Sequence, residues 1–363
     1  MRIAPLAAAI AIALASAPLA AAEKKLETGK VLELTSKAHG RPYSLFVPGN
    51  YSPKVSWPLV ISSHGRGGAG KGEMRAWSGL AKTHGFIVAC PDMLTATTEE
   101  HRQGTSKLPR AEEDDEVLLS IFEEVSGQFR VNRRAVMITG FSGGGNPSYW
   151  TGLRHPDIFT HICTRGGNFA SQEIPTDEKA LAAGREKLQI FIFYGEHDHP
   201  LIVGEGGNPG QAKQAHEALT KAGYKHVTIE QVPGMKHESR PKKAAEWFAD
   251  YVAKNRKLFL AGDEVDGLID DAKAMVEKED YRKAVRALVK AREVEEKNGL
   301  DSRAKAEIDA LNAIAMKMID EAKKAQAAGD SGEALKILGK VTRDFRGLPA
   351  YDEALALKKE WKK

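Results

Sequence analysis

Three short stretches carry residues that could do nucleophilic chemistry together. "GFSGGG" (140–145) sets Ser142 among glycines, "YGEHDHP" (194–200) offers Glu196 and Asp198, and "PGMKHES" (233–239) offers His237. A serine hydroxyl attacks poorly until a base takes its proton, and the base needs a carboxylate to orient it. Ser142 follows the apolar run Ala135–Thr139 and precedes a helical pattern, Asn146–Leu153. That is the setting of a sharp strand-to-helix turn that lifts a side chain clear of the backbone. Gly140 and Gly144 leave room for the turn, and the Gly143 N–H, at the helix start, can face an anion forming beside Ser142.

The acid and base stretches each follow a further apolar run, so they should leave the sheet at the same edge as Ser142. His237 is then the expected base. His226 begins its run and should point to the opposite edge. Asp198 is preferred to Glu196 because the further position reaches clear of the strand end. "SSHGRGG" (62–68) follows another apolar run and is expected to supply the Arg66 N–H as a second donor to a developing oxyanion, with His64 holding the loop. The pattern G-x-x-x-x-G-K-[ST] fails there at Gly72, which argues against a phosphate-loop nucleotide site.

These residues need a scaffold. Pro58–Ser63, Phe86–Cys90, Ala135–Thr139, Phe159–Cys163, Leu188–Tyr194 and His226–Val232 are continuous apolar runs, the pattern of strands buried on both faces of a parallel sheet. Val31–Ser36 and Tyr43–Val47 read as an antiparallel pair at its edge. Helical periodicity over Glu73–Thr83, Glu112–Phe129, Gln211–Ala222 and Pro241–Lys254 separates the runs. Alternating strands and helices predict an α/β fold whose site lies beyond the C-terminal strand ends.

The span from Val31 to Lys254 resembles the α/β-hydrolase superfamily. Within it the chain looks closest to exported esterases of the feruloyl esterase, polyhydroxyalkanoate depolymerase and dienelactone hydrolase type. The matching stretches are "RPYSLFVPGNY", "WPLVISSHGRGG", "GFSGGG", "RHPDIF", "YGEHD" and "GMKHE", in family order. The resemblance implies a serine hydrolase cleaving carboxylic esters through an acyl-enzyme, with Ser142 as nucleophile, Asp198 as acid and His237 as base. It implies no cofactor and no metal. The alternatives are a peptidase or thioesterase on the same core, or an idle core acting through its helical tail. Feruloyl esterases and depolymerases of this type usually carry disulfides, whereas this chain has 2 Cys.

Composition bounds the rest. A formal net charge of +4 over 363 residues argues against nucleic acid as a partner. Residues 1–22 have a basic start, an apolar core (Ile3–Ala15) and small residues before Glu23, the layout of a secretory signal peptide. The mature protein is therefore expected in the periplasm or outside the cell, without a membrane span. Cys90 and Cys163 fall in or beside apolar runs and are expected as unpaired core thiols, and the histidines of "EHDHP" and His161 show no zinc spacing. Thr95–Leu108 and Gly204–Gly210 are expected as loops flanking the site. Trp77, Tyr149 and Trp150 are assigned to the core or the pocket wall.

The chain divides into a catalytic domain over 23–260 and a helical domain over 261–363. In the second, "EDYRKAVRAL" (279–288) repeats as "GDSGEALKIL" (329–338), about 50 residues apart. Stacked helical hairpins and a plain bundle both fit this pattern. Expected partners are a small-molecule or polysaccharide-linked ester and, through the C-terminal helices, a protein.

Overall fold

A computed structural model describes residues 27–93 and 111–362. The expected signal peptide and the Thr95–Leu108 loop lie outside the described residues. The first unit contains β1 (Val31–Thr35), β2 (Pro42–Phe46), β3 (Trp57–Ser63), α1 (Gly70–His84), β4 (Ile87–Pro91), α2 (Ala111–Gln128), β5 (Val131–Phe141), α3 (Gly145–Arg154), β6 (His161–Arg165), α4 (Glu178–Lys187), β7 (Gln189–His197), α5 (Pro200–Val203), β8 (Gly204–Glu205), β9 (Asn208–Pro209), α6 (Gln211–Lys221), β10 (His226–Lys236) and α7 (Pro241–Lys254). Eight strands form one sheet in the order β1-β2-β4-β3-β5-β6-β7-β10. β2 runs antiparallel to both β1 and β4, and the remaining pairs are parallel. This is the α/β-hydrolase fold. The short β8–β9 ribbon occupies the Gly204–Gly210 stretch expected as a loop.

The apolar runs are continuous because each strand feeds two cores. Side chains alternate across a strand. Leu59, Ile61, Ile87, Val136, Ile138, Ile190 and Ile192 join one core, against Leu118, Phe122 and Leu153. Val60, Val88, Cys90, Met137, Cys163, Phe191 and Phe193 join the other, against Trp77 and Phe248. Cys90 and Cys163 are free and buried. Burial pushes both thiols up, Cys163 to about 12, which suits packing rather than reactivity. Trp77 and Tyr149 are core residues, and Trp150 lies at the edge with the Arg154 guanidinium 3.5 Å from its ring centre.

His161 is buried in the second face, its ring packed on Trp247, Phe248 and Tyr251. The Thr160 hydroxyl donates to the Val136 carbonyl, so His161 Nδ1 donates to that hydroxyl at 2.8 Å. Nε2 then has no hydrogen-bond partner among the described residues. Burial disfavours the charged ring and pushes its pKa down from 6.5 to about 3. Below pH 6.5 the unfolded chain takes up a proton that the folded chain refuses. Stability should therefore fall with acidification between those values, by up to about 1.4 kcal/mol per pH unit from this group. In urea titrations from pH 7.5 to 4.5, His161→Phe should show a shallower loss than wild type. Equal slopes would rule this account out.

The second unit is all helical: α8 (Arg256–Glu277), α9 (Tyr281–Asn298), α10 (Ala304–Ala327), α11 (Ser331–Asp344) and α12 (Pro349–Glu360). It has its own core of Val265, Ile269, Leu288, Leu311, Ile319 and Phe345, lined with alanines. The repeat seen in sequence extends to the backbone. Glu279 and Gly329 both turn left-handed (φ 54° and 85°). Asp280 and Asp330 then cap α9 and α11, accepting from the N–H of Lys283 and Glu333. Ala284 and Ala334, and Leu288 and Leu338, occupy matching buried positions. α8 runs unbroken through the expected boundary at residue 260. Its Phe259 packs in the second core of the hydrolase unit, and Asp263 accepts from the Ser56 N–H at 3.1 Å. No described helix is long and apolar enough to cross a membrane.

Candidate active site

Ser142 sits at the end of β5 with φ 51°, a left-handed conformation that costs a non-glycine residue about 1–3 kcal/mol. The neighbours make this turn possible. A Cβ on Gly140 would lie 1.9 Å from the Gly144 carbonyl oxygen, and one on Gly144 would lie 2.5 Å from that of His64. Gly145, whose place in the motif the sequence does not explain, has a parallel reason: its Cβ would meet Asn168 O at 2.6 Å. The Asn168 N–H in turn donates to the Ser142 carbonyl at 2.8 Å, clamping the turn.

His237 arrives from the end of β10 and Asp198 from the residue after β7. His237 Nε2 lies 2.9 Å from Ser142 Oγ, and Nδ1 lies 2.5 Å from Asp198 Oδ1. A carboxylate accepts, so Nδ1 carries the proton and Nε2 presents its lone pair to the serine hydroxyl. Asp198 also accepts from the N–H of Gly195 at 3.0 Å and of His199 at 2.7 Å. Burial pushes its carboxyl up, but the hydrogen bond from His237 and those two backbone donors outweigh it and hold the pKa below the usual range. Glu196, the alternative acid, instead accepts from the Gly234 N–H at 2.8 Å and stays exposed.

The strands must come unusually close for the acid and base to meet. A Cβ on Gly195 would strike the Met235 carbonyl oxygen at 2.2 Å. Gly166, with φ 52°, faces the pair: its Cβ would lie 2.9 Å from Asp198 Oδ2 and 3.5 Å from His237 Nδ1. Phe141 packs on the His237 ring at 4.8 Å between centroids.

The loop after β3 lies against the serine. A Cβ on Gly65 would be 3.3 Å from that of Ser142. His64 holds the loop: its Nδ1 donates to the Gly65 carbonyl at 2.7 Å, and its Nε2 accepts from the Met93 N–H at 3.0 Å. Arg66 is exposed on the rim. Gly143 lies in the first turn after β5, where helix geometry leaves backbone N–H groups without partners inside the helix. A cavity of about 210 Å3 opens over these groups, lined by Arg66, Ser142, Asn168, His199, Leu201 and His237. The arrangement can move a proton from the serine hydroxyl to the imidazole while Asp198 fixes the tautomer. Of the other histidines, His155 ends α3 and meets Asp115 at 3.0 Å, and His226 opens β10 at the far edge.

Beneath the site lies a charged pair that the sequence reading missed. Arg165, fully buried at the end of β6, donates to Glu73 Oε1 at 2.6 Å and to Ser62 Oγ at 3.0 Å through Nη2. Its Nε donates to Thr139 Oγ1 at 3.1 Å and its Nη1 to the Ser239 hydroxyl. Glu73 also accepts from Trp77 Nε1 and the Ser62 hydroxyl. Burial pushes the Glu73 carboxyl up, but the Arg165 charge and these hydrogen bonds hold it below the ordinary carboxylate range. The pair therefore ties the strand before the Arg66 loop to the segment just after His237. Gly166 and Asn168 were also missed. Their one sequence signal is the pair Gly166-Gly167 shortly after the predicted strand Phe159–Cys163.

No family model matches the chain. It is 26% identical over 178 residues to NocK of Nocardia uniformis subsp. tsuyamanensis, named provisionally as an esterase, covering 48% of this chain and 49% of that protein. It is 26% identical over 164 residues to the bifunctional acetylxylan esterase/xylanase XynS20E of Neocallimastix patriciarum, covering 45% and 22%. The chain thus spans about half the length of the first relative and less of the second. Among solved structures it is similar to the S-formylglutathione hydrolase FrmB of Staphylococcus aureus (TM-score 0.47, 15% identity, 61% of this chain and 98% of that one). It is also similar to the ferulic acid esterase AmCE1/Fae1A of Anaeromyces mucronatus (TM-score 0.45, 18% identity, 63% and 91%).

Proposed function

We propose that this protein is an exported serine hydrolase that cleaves carboxylic esters through an acyl-enzyme. The observation that carries this reading is the unbroken relay from Ser142 Oγ to His237 Nε2 and from His237 Nδ1 to Asp198. Ser142 attacks the ester carbonyl as His237 takes its proton. The Arg66 and Gly143 N–H groups receive the tetrahedral oxyanion, and losing one such donor typically costs about 3–4 kcal/mol of barrier. The alcohol departs with the proton from His237, which then activates water to release the acid and restore the serine. The esterase names of the two sequence relatives support esters as the bond, and an acetylxylan esterase among them favours a small or polysaccharide-linked ester. Export rests on the leader-like pattern of residues 1–22.

A fluorophosphonate probe should label the folded protein on Ser142, and short acyl esters should turn over faster than aminoacyl amides. Folded protein that neither reacts with the probe nor hydrolyses any member of an acyl-ester panel would sink the proposal.

A further inference from the structure

We propose that the helical unit carries a binding site for a small polyanion, between α9, α11 and α12. A cavity of about 440 Å3 opens there, and its wall includes Arg282, Arg286, Arg343, Arg346 and Tyr351, with one carboxylate, Asp344. Four arginines from two helices and the turn after α11 thus line one cavity.

The local charges do not explain this clustering. Some other cations of these helices pair across helix boundaries, as in Lys273–Glu307, Lys290–Glu264, Lys323–Glu353 and Lys340–Glu279. At this cavity Arg343 is the exception, held by both oxygens of Asp344 at 2.9 and 3.0 Å. Arg282, Arg286 and Arg346 have no hydrogen-bonded or ion-paired carboxylate among the described residues; the nearby Asp280 bonds Lys283 and also feels the Arg282 charge. The negative end of α11 accounts for cations at residues 343 and 346. It does not account for Arg282 and Arg286. These sit in the first two turns of α9, whose positive end disfavours cations and favours anions. They are also spaced i,i+4, where like charges repel.

The cavity thus gathers positive charge from exposed side chains, and an oxyanion with two or more charges would complement it. Guanidiniums suit such a ligand because each offers paired N–H donors matching the oxygens of a phosphate or carboxylate. The Tyr351 hydroxyl adds a neutral donor. Phosphate and carboxylate ligands share this chemistry, and the test separates them.

The experiment is titration of the full-length protein with pyrophosphate and with citrate, followed calorimetrically and by thermal unfolding. Sodium chloride at matched ionic strength is the control. Saturable binding of either polyanion is expected, with a rise in Tm that chloride does not reproduce. Arg282→Gln/Arg286→Gln should weaken that binding at least tenfold. Without ligand, the variant should be as stable as wild type or more so, the reverse of what lost structural contacts would give. No saturable binding of either anion, or equal binding by the variant, overturns the proposal. The readout is independent of ester turnover, so it stands or falls apart from the assignment of Ser142.

Discussion

Asp198→Asn is expected to lower kcat for ester turnover by about 10^4-fold while leaving the fold intact. Asparagine keeps the shape of aspartate but brings an NH2 group. Asp198 accepts from three donors, namely His237 Nδ1 and the N–H groups of Gly195 and His199. An amide has one accepting oxygen where the carboxylate has two, so it cannot accept from all three. The imidazole then either turns its proton toward Ser142 or loses its orientation, and in both cases Nε2 stops accepting from the serine. Ser142→Ala should cost about 10^6-fold, and the double variant should be no worse than Ser142→Ala alone, because the residues act as one unit. Glu196→Gln, whose carboxylate meets Gly234 instead, should retain most of the activity. Loss of activity in Glu196→Gln with retention in Asp198→Asn would move the acid to Glu196.

The largest effect on stability is expected at Arg165. Arg165→Met strands the buried Glu73 carboxylate with the Trp77 and Ser62 donors alone. Removing one partner of a buried pair typically costs about 3–5 kcal/mol. Pairing it with Glu73→Leu removes the stranded charge as well and should recover much of that loss. Turnover should not recover with it. The double variant still lacks the donor to Ser239, two residues past His237, and the donor to Ser62, two residues before His64. Urea unfolding and kcat measured on the same three proteins separate the two roles. Activity returning in step with stability would reduce Arg165 to a structural part.

The sequence was legible where one residue type answers one physical demand. Ile190 to Phe193 had to be apolar in succession because alternate side chains enter different cores. Ser142, Asp198 and His237 could be placed together because each follows a strand of the same parallel sheet. Where long-range pairing decides, the sequence is silent. Glu73 and Arg165 are 92 positions apart, and each alone looks like an ordinary surface charge. Gly166 reads as a turn glycine until the approach of Asp198 is known. The composition changes near residue 260, but nothing in it shows that one helix, α8, runs through that point from one core to the other.

The course of α8 has a further consequence. The helix leaves the hydrolase core at Phe259 and enters the tail core by Val265 without a break, with Asp263 fastened to Ser56 between them. Such a joint behaves as a strut rather than a tether. A molecule held in the tail would not sample a volume around the serine, as it would on a flexible linker, but would be offered at one reach and one angle. Lengthening the strut by a helical turn would change both at once, leaving every residue of the two units as it was.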